Sequence, residues 1–241
     1  MCYNGALFLK QWRLPGFSRR IAVNTKLRLW IVVLLLAWSC TACGRLFPDQ
    51  TNPSGAQRGE VLFQDDFSDP TSGWATWSQD QSAVAYESGG LRFRINQPRY
   101  DYWSRPGKRF GDAILSVDAT RVSGPENNDF GLICRYRNGD NFYAFLISSD
   151  GYYGILRVQD GQYQVISAAS LQSSEVIQRG SAVNQLQAEC NGPVLSLLVN
   201  GTLLARAEDS TFRSGEVGVL AGTYDEPGVE ILFDNFIVIK P

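Results

Sequence analysis

Residues 130–148 read FGLICRYRNGDNFYAFLIS, and this stretch decides the fold. Apolar side chains recur at alternate positions on both sides of the dipeptide Asn138-Gly139. Alternation with a period of two is typical of half-buried β-strands, and Asn-Gly between two such runs predicts a β-hairpin. We therefore expect two antiparallel strands here, joined by a loop at residues 138–141.

Pairing outward from that loop assigns the side chains to two faces. Arg137 would lie opposite Phe142, and Cys134 opposite Phe145. One face is apolar and is expected to point into the core: Phe130, Leu132, Cys134, Tyr136, Tyr143, Phe145 and Ile147. The other face is mixed: Ile133, Arg135, Arg137, Phe142, Ala144 and Leu146. The mixed face predicts either a ligand groove, with Arg135, Arg137 and Phe142 as candidate binding residues, or a partly covered outer surface.

The same pattern recurs over most of the later sequence. Turn dipeptides separate runs rich in Val, Ile, Leu, Tyr and Phe: Gly89-Gly90, Asp150-Gly151, Asp160-Gly161, Asn191-Gly192 and Asn200-Gly201. Short strands at this spacing, with no sustained helical period, favour an all-β fold. The sequence predicts a single antiparallel, jelly-roll-like β-sandwich domain.

The N-terminal segment has a different composition. Residues 1–28 carry six cationic side chains and no acid, and LRLWIVVLLLAWS follows at residues 27–39. This apolar run is shorter than the roughly 20 residues of a membrane-spanning helix, and it suits the core of an export signal. Small residues and cysteines come next, in AWSCTACG. This order resembles a bacterial lipoprotein signal with Cys43 as the lipidated residue and Cys40 as the alternative; an uncleaved signal anchor is the competing interpretation.

These features divide the chain into three parts. We expect a signal peptide at 1–42, a flexible tether rich in Pro, Gly, Asn, Ser and Gln at 43–58, and the folded domain at 59–241. Loss of residues 1–42 removes six cations and changes the formal charge from −2 to −8. An acidic domain without a basic patch argues against nucleic acid as a partner. The predicted location is the bacterial cell envelope, anchored to a membrane and facing outside the cytoplasm.

The residue types present limit the available chemistry. The chain contains no histidine, which excludes Ser-His-Asp and Cys-His catalysis and ordinary His-bearing zinc sites. Its carboxylates fall mostly in turns, Glu126 and Asp129 among them, so we expect no strand to carry two acids on one side. The sequence therefore favours a non-catalytic protein, with glycoside hydrolysis by loop carboxylates as the alternative.

Aromatic residues supply a second set of binding candidates. The segment PRYDYWSRPG at residues 98–107 concentrates Tyr100, Tyr102 and Trp103 beside charged side chains. Rings with an apolar body and a polar tip suit the C–H faces and polar rims of sugars. The alternative is a strand whose rings cap the core.

Two cysteines of the folded part lie on apolar sides of predicted strands. Cys134 belongs to the hairpin, and Cys190 shares parity with Leu186 and Ala188. Outside the cytosol these thiols are expected to form a disulfide, worth about 4 kcal/mol in the chain-entropy model. Two buried free thiols are the alternative.

Four stretches resemble the concanavalin A-like lectin/glucanase superfamily, in its laminin-G/3-keto-disaccharide hydrolase-like branch. They are DDFSDPTSGW, NDFGLICRYRNGDNFYAFLISSDGYYGI, AECNG before LSLLVNGTLL, and GEVGVLAGTYDEPGVEILFDNFIV. The resemblance implies a sandwich whose first and last strands are neighbours, in a superfamily of lectins, carbohydrate-binding modules and glucanases. The family 16 pattern E-x-D-x-E is absent here.

The resemblance leads to a function and one metal site. We expect an exported, lipid-anchored, non-catalytic module that binds carbohydrate or a cell-surface protein; a structural or assembly domain is a further alternative. No cofactor is required. If the first and last strands pair, Asp66 comes close to Asp234, where related sandwiches often hold a structural calcium. The simpler account of FQDDFSDPTSGW at residues 63–74 is a strand running into a turn at Asp69-Pro70.

Overall fold

A computed structural model describes residues 58–241, which form seventeen β-strands. The strands are β1 (Val61–Asp65), β2 (Trp77–Gln79), β3 (Ser82–Glu87), β4 (Gly90–Ile95), β5 (Tyr100–Ser104), β6 (Arg109–Phe110), β7 (Ala113–Ser123), β8 (Asn128–Asn138), β9 (Asn141–Ile147), β10 (Tyr152–Gln159), β11 (Gln162–Val165), β12 (Gln172–Ser173), β13 (Val183–Asn191), β14 (Val194–Val199), β15 (Thr202–Glu208), β16 (Gly215–Thr223) and β17 (Val229–Ile239). No helix in this part of the chain has the length and apolar composition needed to cross a membrane.

The strands make two antiparallel sheets. The first has the order β15-β14-β13-β7-β17-β4-β3-β2, and β1 also pairs with β17. The second has the order β11-β10-β9-β8-β16-β5, with β12 beside β10 and β6 beside β16. Alternate residues of both sheets are buried between them in one apolar core. The predicted all-β antiparallel sandwich is confirmed.

The predicted turn dipeptides lie at or between the ends of paired strands. Asp160-Gly161 and Asn200-Gly201 each place two consecutive residues at positive φ. A two-residue turn of this kind matches the twist of the strands it joins, and Asp-Gly and Asn-Gly adopt it at little cost. Local turn chemistry therefore sets the registers of these hairpins.

The hairpin of β8 and β9 departs from regular pairing at one point. Asn138 pairs with Asn141, as the sequence predicts, but Cys134 lies opposite Tyr143 rather than Phe145. The irregularity spans residues 134–138, where Arg135 has a φ of 54°. This bulge turns Tyr136 onto the outer face of the sheet. The prediction that Tyr136 points into the core is therefore wrong, while the other six core-facing predictions of the hairpin hold.

A disulfide joins Cys134 of β8 to Cys190 of β13. The two strands belong to different sheets, and both cysteines are fully buried in the core. The predicted disulfide is confirmed, and it links the two layers of the sandwich.

The chain enters the sandwich through a compact turn. Asp65 Oδ2 accepts a hydrogen bond from Trp74 Nε1 at 3.0 Å, and Asp69 Oδ1 accepts one from the Thr71 amide at 2.8 Å. Trp74 is buried against Phe236 of β17, and β1 pairs with β17. The first and last strands are thus neighbours, as the family resemblance implies.

The predicted signal peptide at 1–42, with Cys43 and its alternative Cys40, lies outside the described residues, as does the predicted tether up to residue 57.

Candidate functional site

The outer face of the second sheet carries a small apolar cluster of its own. Its members are Ile133, Tyr136, Phe142, Ala144, Leu146, Val158 and Leu220, with Trp103 and Leu156 packed against them. Aromatic rings form a continuous row: the Trp103 ring lies 5.7 Å from that of Phe142, and Phe142 lies 6.4 Å from Tyr163. The outer face that was predicted to mix charged and apolar residues is therefore largely buried. Its solvent-accessible part lies at the edge where Trp103 and Tyr163 stand.

A groove of about 360 Å³ opens at that edge. It is lined by Arg99, Tyr100, Asp101, Trp103, Gly139, Asp140, Gly161 and Tyr163, and we call it the acidic groove. The turns of two hairpins close one end, because the Gly161 amide donates to the Asp140 carbonyl at 3.1 Å. Tyr163 is 48% exposed, so its ring is available to a ligand.

Two carboxylates meet beneath this groove. Asp101 on β5 and Asp129 on β8 both pair with Gly222 of β16, so the three residues stand side by side across the sheet. The α-carbons of the two aspartates are two strand spacings apart, about 10 Å. Their side chains lean toward each other over Gly222, where an added Cβ would overlap with the Oδ1 atom of each. The gap between the two carboxylates is the space that a side chain at residue 222 would occupy.

The pair is buried, and burial changes its acidity. Asp129 is only 8% exposed, and its Oδ1 has no hydrogen-bond partner among the described residues. Burial, and then the negative charge of Asp101, hold the pKa of Asp129 well above its usual range. Burial also raises the pKa of Asp101. Because neighbouring carboxylates resist double ionisation, the pair retains a proton at a pH where isolated aspartates have lost theirs.

Two tyrosines adjoin the carboxylates. The Tyr163 hydroxyl makes a hydrogen bond with the Asp101 carboxylate, and the Tyr224 hydroxyl makes one with the Asp129 carboxylate. Each hydrogen bond lowers the pKa of that aspartate and so opposes the effect of burial. In return, burial and the nearby aspartates raise the pKa of both phenols. Both tyrosines therefore stay neutral and can donate hydrogen bonds. The site combines neutral donors, two carboxyls of raised pKa and aromatic surface.

No single strand of the sequence shows this pair, because its two acids lie on different strands. Asp129 was assigned to a turn, but it lies inside β8 and faces outward. Asp101 alternates with Tyr100 and Tyr102 on β5, and Trp103 shares its side of the strand. The available signal was parity: Asp129 has the parity of Ile133, on the predicted mixed face. What parity does not reveal is that β16 lies between the two strands.

The predicted binding residues divide into two groups. Tyr100 and Trp103 line the acidic groove. The rings of Tyr100 and Tyr102, however, lie on the side of β5 opposite to Trp103 and pack 4.8 Å apart, and the Tyr102 ring also packs 4.6 Å from Trp77. Phe142 is fully buried under Trp103, and Arg137 lies over the ring of Phe212 instead of in the groove.

Arg135 was predicted to be an exposed ligand-binding residue, but the structure places it in the interior. The bulge directs its side chain inward, and it is 1% exposed. Its guanidinium donates to the carbonyl of Gly111 at 3.1 Å, to the carbonyl of Phe212 at 2.9 Å and to Asp112 Oδ1 at 3.0 Å. That prediction is wrong, because Arg135 is a buried connector between loops.

The predicted calcium site lies beside a separate cleft on the first sheet. This cleft of about 630 Å³ includes Asp66, Asp118 and Asn235 in its lining. Asp66 accepts hydrogen bonds from Ser68, and Asp234 accepts one from the Asn235 amide at 2.7 Å. Within residues 58–241 no three His, Cys, Asp or Glu side chains are grouped to hold a metal ion. Calcium at Asp66 and Asp234 stays a prediction.

No family model and no curated protein matches the chain. Several solved structures share its fold. The carbohydrate-binding module CBM66 from Bacillus subtilis is 18% identical with a TM-score of 0.57, covering 70% of this chain and 96% of its own. A Bacillus subtilis protein of unknown function with a galectin-like fold is 10% identical with a TM-score of 0.57, covering 76% and 97%.

A larger protein contains a similar domain. The GH43 BlXynB protein from Bacillus licheniformis is 14% identical with a TM-score of 0.56, and the match covers 74% of this chain but 39% of that one. Identities this low establish the fold alone. The domain is an antiparallel β-sandwich that shares its fold with these proteins.

Proposed function

We propose that this domain is a non-catalytic carbohydrate-binding module whose sugar site is the acidic groove. The observation that carries the proposal is the combination of exposed rings with a buried carboxylate in one groove. Trp103 and Tyr163 offer flat apolar surface for the C–H face of a sugar ring. Asp101 offers an acceptor for sugar hydroxyls, and charge-assisted hydrogen bonds of this kind are among the stronger ones. The fold shared with CBM66 supports the same assignment.

A glycan array followed by calorimetry on the soluble domain tests this proposal. Tyr163→Ala removes a half-exposed ring of the groove, so it should lower affinity for the bound glycan at least tenfold with little loss of stability, whereas Tyr100→Ala removes a ring that packs against Tyr102 on the other side of β5 and should not. Leu203→Ala is the matched control, since Leu203 is 54% exposed on the first sheet. Equal affinities in all three variants would contradict a site in the groove.

A glycoside hydrolase is the second candidate, because Asp101 and Asp129 form a carboxylate pair such as this chemistry requires. The enclosure of Asp129 argues against it, since Oδ1 of this residue is out of reach of a glycosidic oxygen. Turnover of a bound glycan that Asp101→Asn and Asp129→Asn both abolish would establish the hydrolase. If no glycan binds or reacts, the structural or assembly domain becomes the better assignment.

The export and anchoring of the domain are part of the proposal. Cys43 would carry the lipid, with Cys40 as the alternative, and would hold the domain on the outer side of a bacterial membrane, where a glycan or a surface protein is within reach. Mass spectrometry of the full chain expressed in a bacterium tests this. A lipidated N-terminal peptide beginning at residue 43 in the wild type, absent from Cys43→Ala, is the expected result.

A further inference from the structure

We infer that the sugar bound in the acidic groove carries a protonated amino group, placed against Asp101 with Asp129 behind it. This inference rests on the proposed carbohydrate site and names the chemical class of its ligand. Neutral sugars satisfy hydrogen-bond acceptors but bring no charge. An ammonium group brings three donors and a positive charge to one point.

The first support is the charge balance of the groove. Asp101 and Asp140 line it, and Asp129 lies directly behind Asp101 across Gly222. Arg99 is the cationic side chain of the lining, and it already pairs with Asp225 at 2.6 Å. Both members of that pair are more than 70% exposed, so water screens it strongly. The groove therefore presents an excess of negative charge.

The second support is the unpartnered oxygen of Asp129. Its Oδ1 points over Gly222 toward Asp101, and it has no donor among the described residues. Its other side adjoins a cavity of about 20 Å³ bordered by Leu146, Tyr152 and Tyr224. A buried carboxylate oxygen without a donor costs free energy, because it has lost its hydration. A cation at Asp101 would compensate both negative groups at once.

The third support comes from the rings around the groove. Trp103 and Tyr163 can face the ring of a sugar and attract a cation at its edge, since the faces of aromatic rings carry partial negative charge. Tyrosine and tryptophan rings beside acidic groups are a common surrounding for organic ammonium groups. The same rings can pack against the C–H face of the sugar, so one ligand would contact both the aromatic rings and the carboxylate.

The raised pKa of Asp129 provides a readout specific to this inference. Several titratable or charged groups surround the pair: Tyr163 and Asp140 at the hairpin turns, Tyr224 and Asp225 after β16, Asp150 after β9, and Arg99 before β5. Burial, and then the charge of Asp101, raise the pKa of Asp129, so the pair binds a proton more readily than isolated aspartates do. An arriving ammonium group favours the ionised form, so binding should release that proton. A neutral sugar should release none.

The experiment compares three tetrasaccharides by calorimetry at pH 5, where the amines of glucosamine are already protonated: β-1,4-linked glucosamine, N-acetylglucosamine and glucose. The glucosamine form should bind at least tenfold more tightly than the other two, and its affinity should fall as salt increases. Titration in two buffers with different heats of ionisation should show proton release for glucosamine only. Asp101→Asn should remove the advantage of glucosamine over the two neutral tetrasaccharides, whereas Leu203→Ala, which lies outside the groove, should leave all three affinities unchanged. Arg99→Gln should raise the affinity for glucosamine, because it removes a competing cation.

The outcomes separate this inference from the proposed function. If neutral tetrasaccharides bind at the groove as tightly as glucosamine, or if no proton is released, the amino-sugar inference is overturned and the carbohydrate module stands. If no tetrasaccharide binds, and none binds on a wide glycan array, both are overturned. If methylammonium alone binds as well as the glucosamine tetramer, the groove recognises the amine without the sugar, which also overturns the inference.

Discussion

Asp101 and Asp129 stand on either side of Gly222, and their carboxylates share the space that a side chain at residue 222 would fill. This arrangement costs stability, because the pair is buried and one oxygen has no hydrogen-bond partner within the described domain. Unfavourable groups of this kind tend to occur at functional sites, where the rest of the fold compensates for them. The pair therefore links stability and the proposed ligand binding in opposite directions.

The first prediction concerns Asp129→Asn. The pKa of Asp129 is higher in the folded state than in the unfolded state. The contribution of this residue to stability is therefore fully present below the unfolded-state pKa of about 3.9, and it is lost as the pH rises through the folded-state pKa. Each pH unit between the two values costs about 1.4 kcal/mol. The Asn variant avoids this cost, and its Tm relative to the wild type should increase between pH 4 and pH 8, as measured by calorimetry.

Asp66→Asn is the matched control for that experiment. Hydrogen bonds from Ser68 lower the pKa of Asp66, so its stabilising contribution is present above the unfolded pKa and is lost as pH falls. Above about pH 5 Asp66 is ionised in both the folded and the unfolded state, so the Tm difference for Asp66→Asn should stay nearly constant up to pH 8, in contrast to that for Asp129→Asn. A Tm difference for Asp129→Asn that does not change with pH would contradict the raised pKa.

The second prediction concerns Gly222→Ala. An added methyl group would overlap with both carboxylates, so we expect a loss of about 3 kcal/mol in unfolding free energy and a loss of glycan binding. Gly111→Ala is the control, because its Cβ would make an ordinary 3.5 Å contact, and it should cost less than about 0.5 kcal/mol. Urea denaturation measures both. The penalty of Gly222→Ala should shrink in an Asp101→Ala background; an unchanged penalty would mean that the clash lies elsewhere.

The third prediction separates two arginines that the sequence placed on the same face. Arg135→Ala leaves the carbonyls of Gly111 and Phe212 without their donor and should cost about 3 kcal/mol of stability. Arg137 is exposed over the ring of Phe212, so Arg137→Ala should cost at most about 1 kcal/mol. Thermal unfolding distinguishes the two, and similar losses in both variants would disprove the assigned roles.

Period-two patterns and turn residues were enough to predict the sandwich, because both are local. Asn138-Gly139 predicted its hairpin, and the parities of Cys134 and Cys190 predicted the disulfide. The bulge at Arg135 was not predictable, since a non-glycine residue at positive φ leaves no mark in a hydrophobic pattern. Only the register of three strands brings Asp101 and Asp129 together, and their sequence neighbours do not indicate it. The elements were therefore more predictable than the candidate site.

The last prediction concerns the disulfide between the sheets. The Cys134→Ala/Cys190→Ala double variant removes the link without leaving a free thiol, and it should lose about 4 kcal/mol, because the unfolded chain gains the freedom of an open loop. The urea m-value should rise, since the unlinked chain exposes more surface. Reductant in the denaturation buffer should bring the wild type to the midpoint of the variant and leave the variant unchanged. A double variant as stable as the oxidised wild type would show that packing of the two sheets, and not the covalent link, holds the sandwich together.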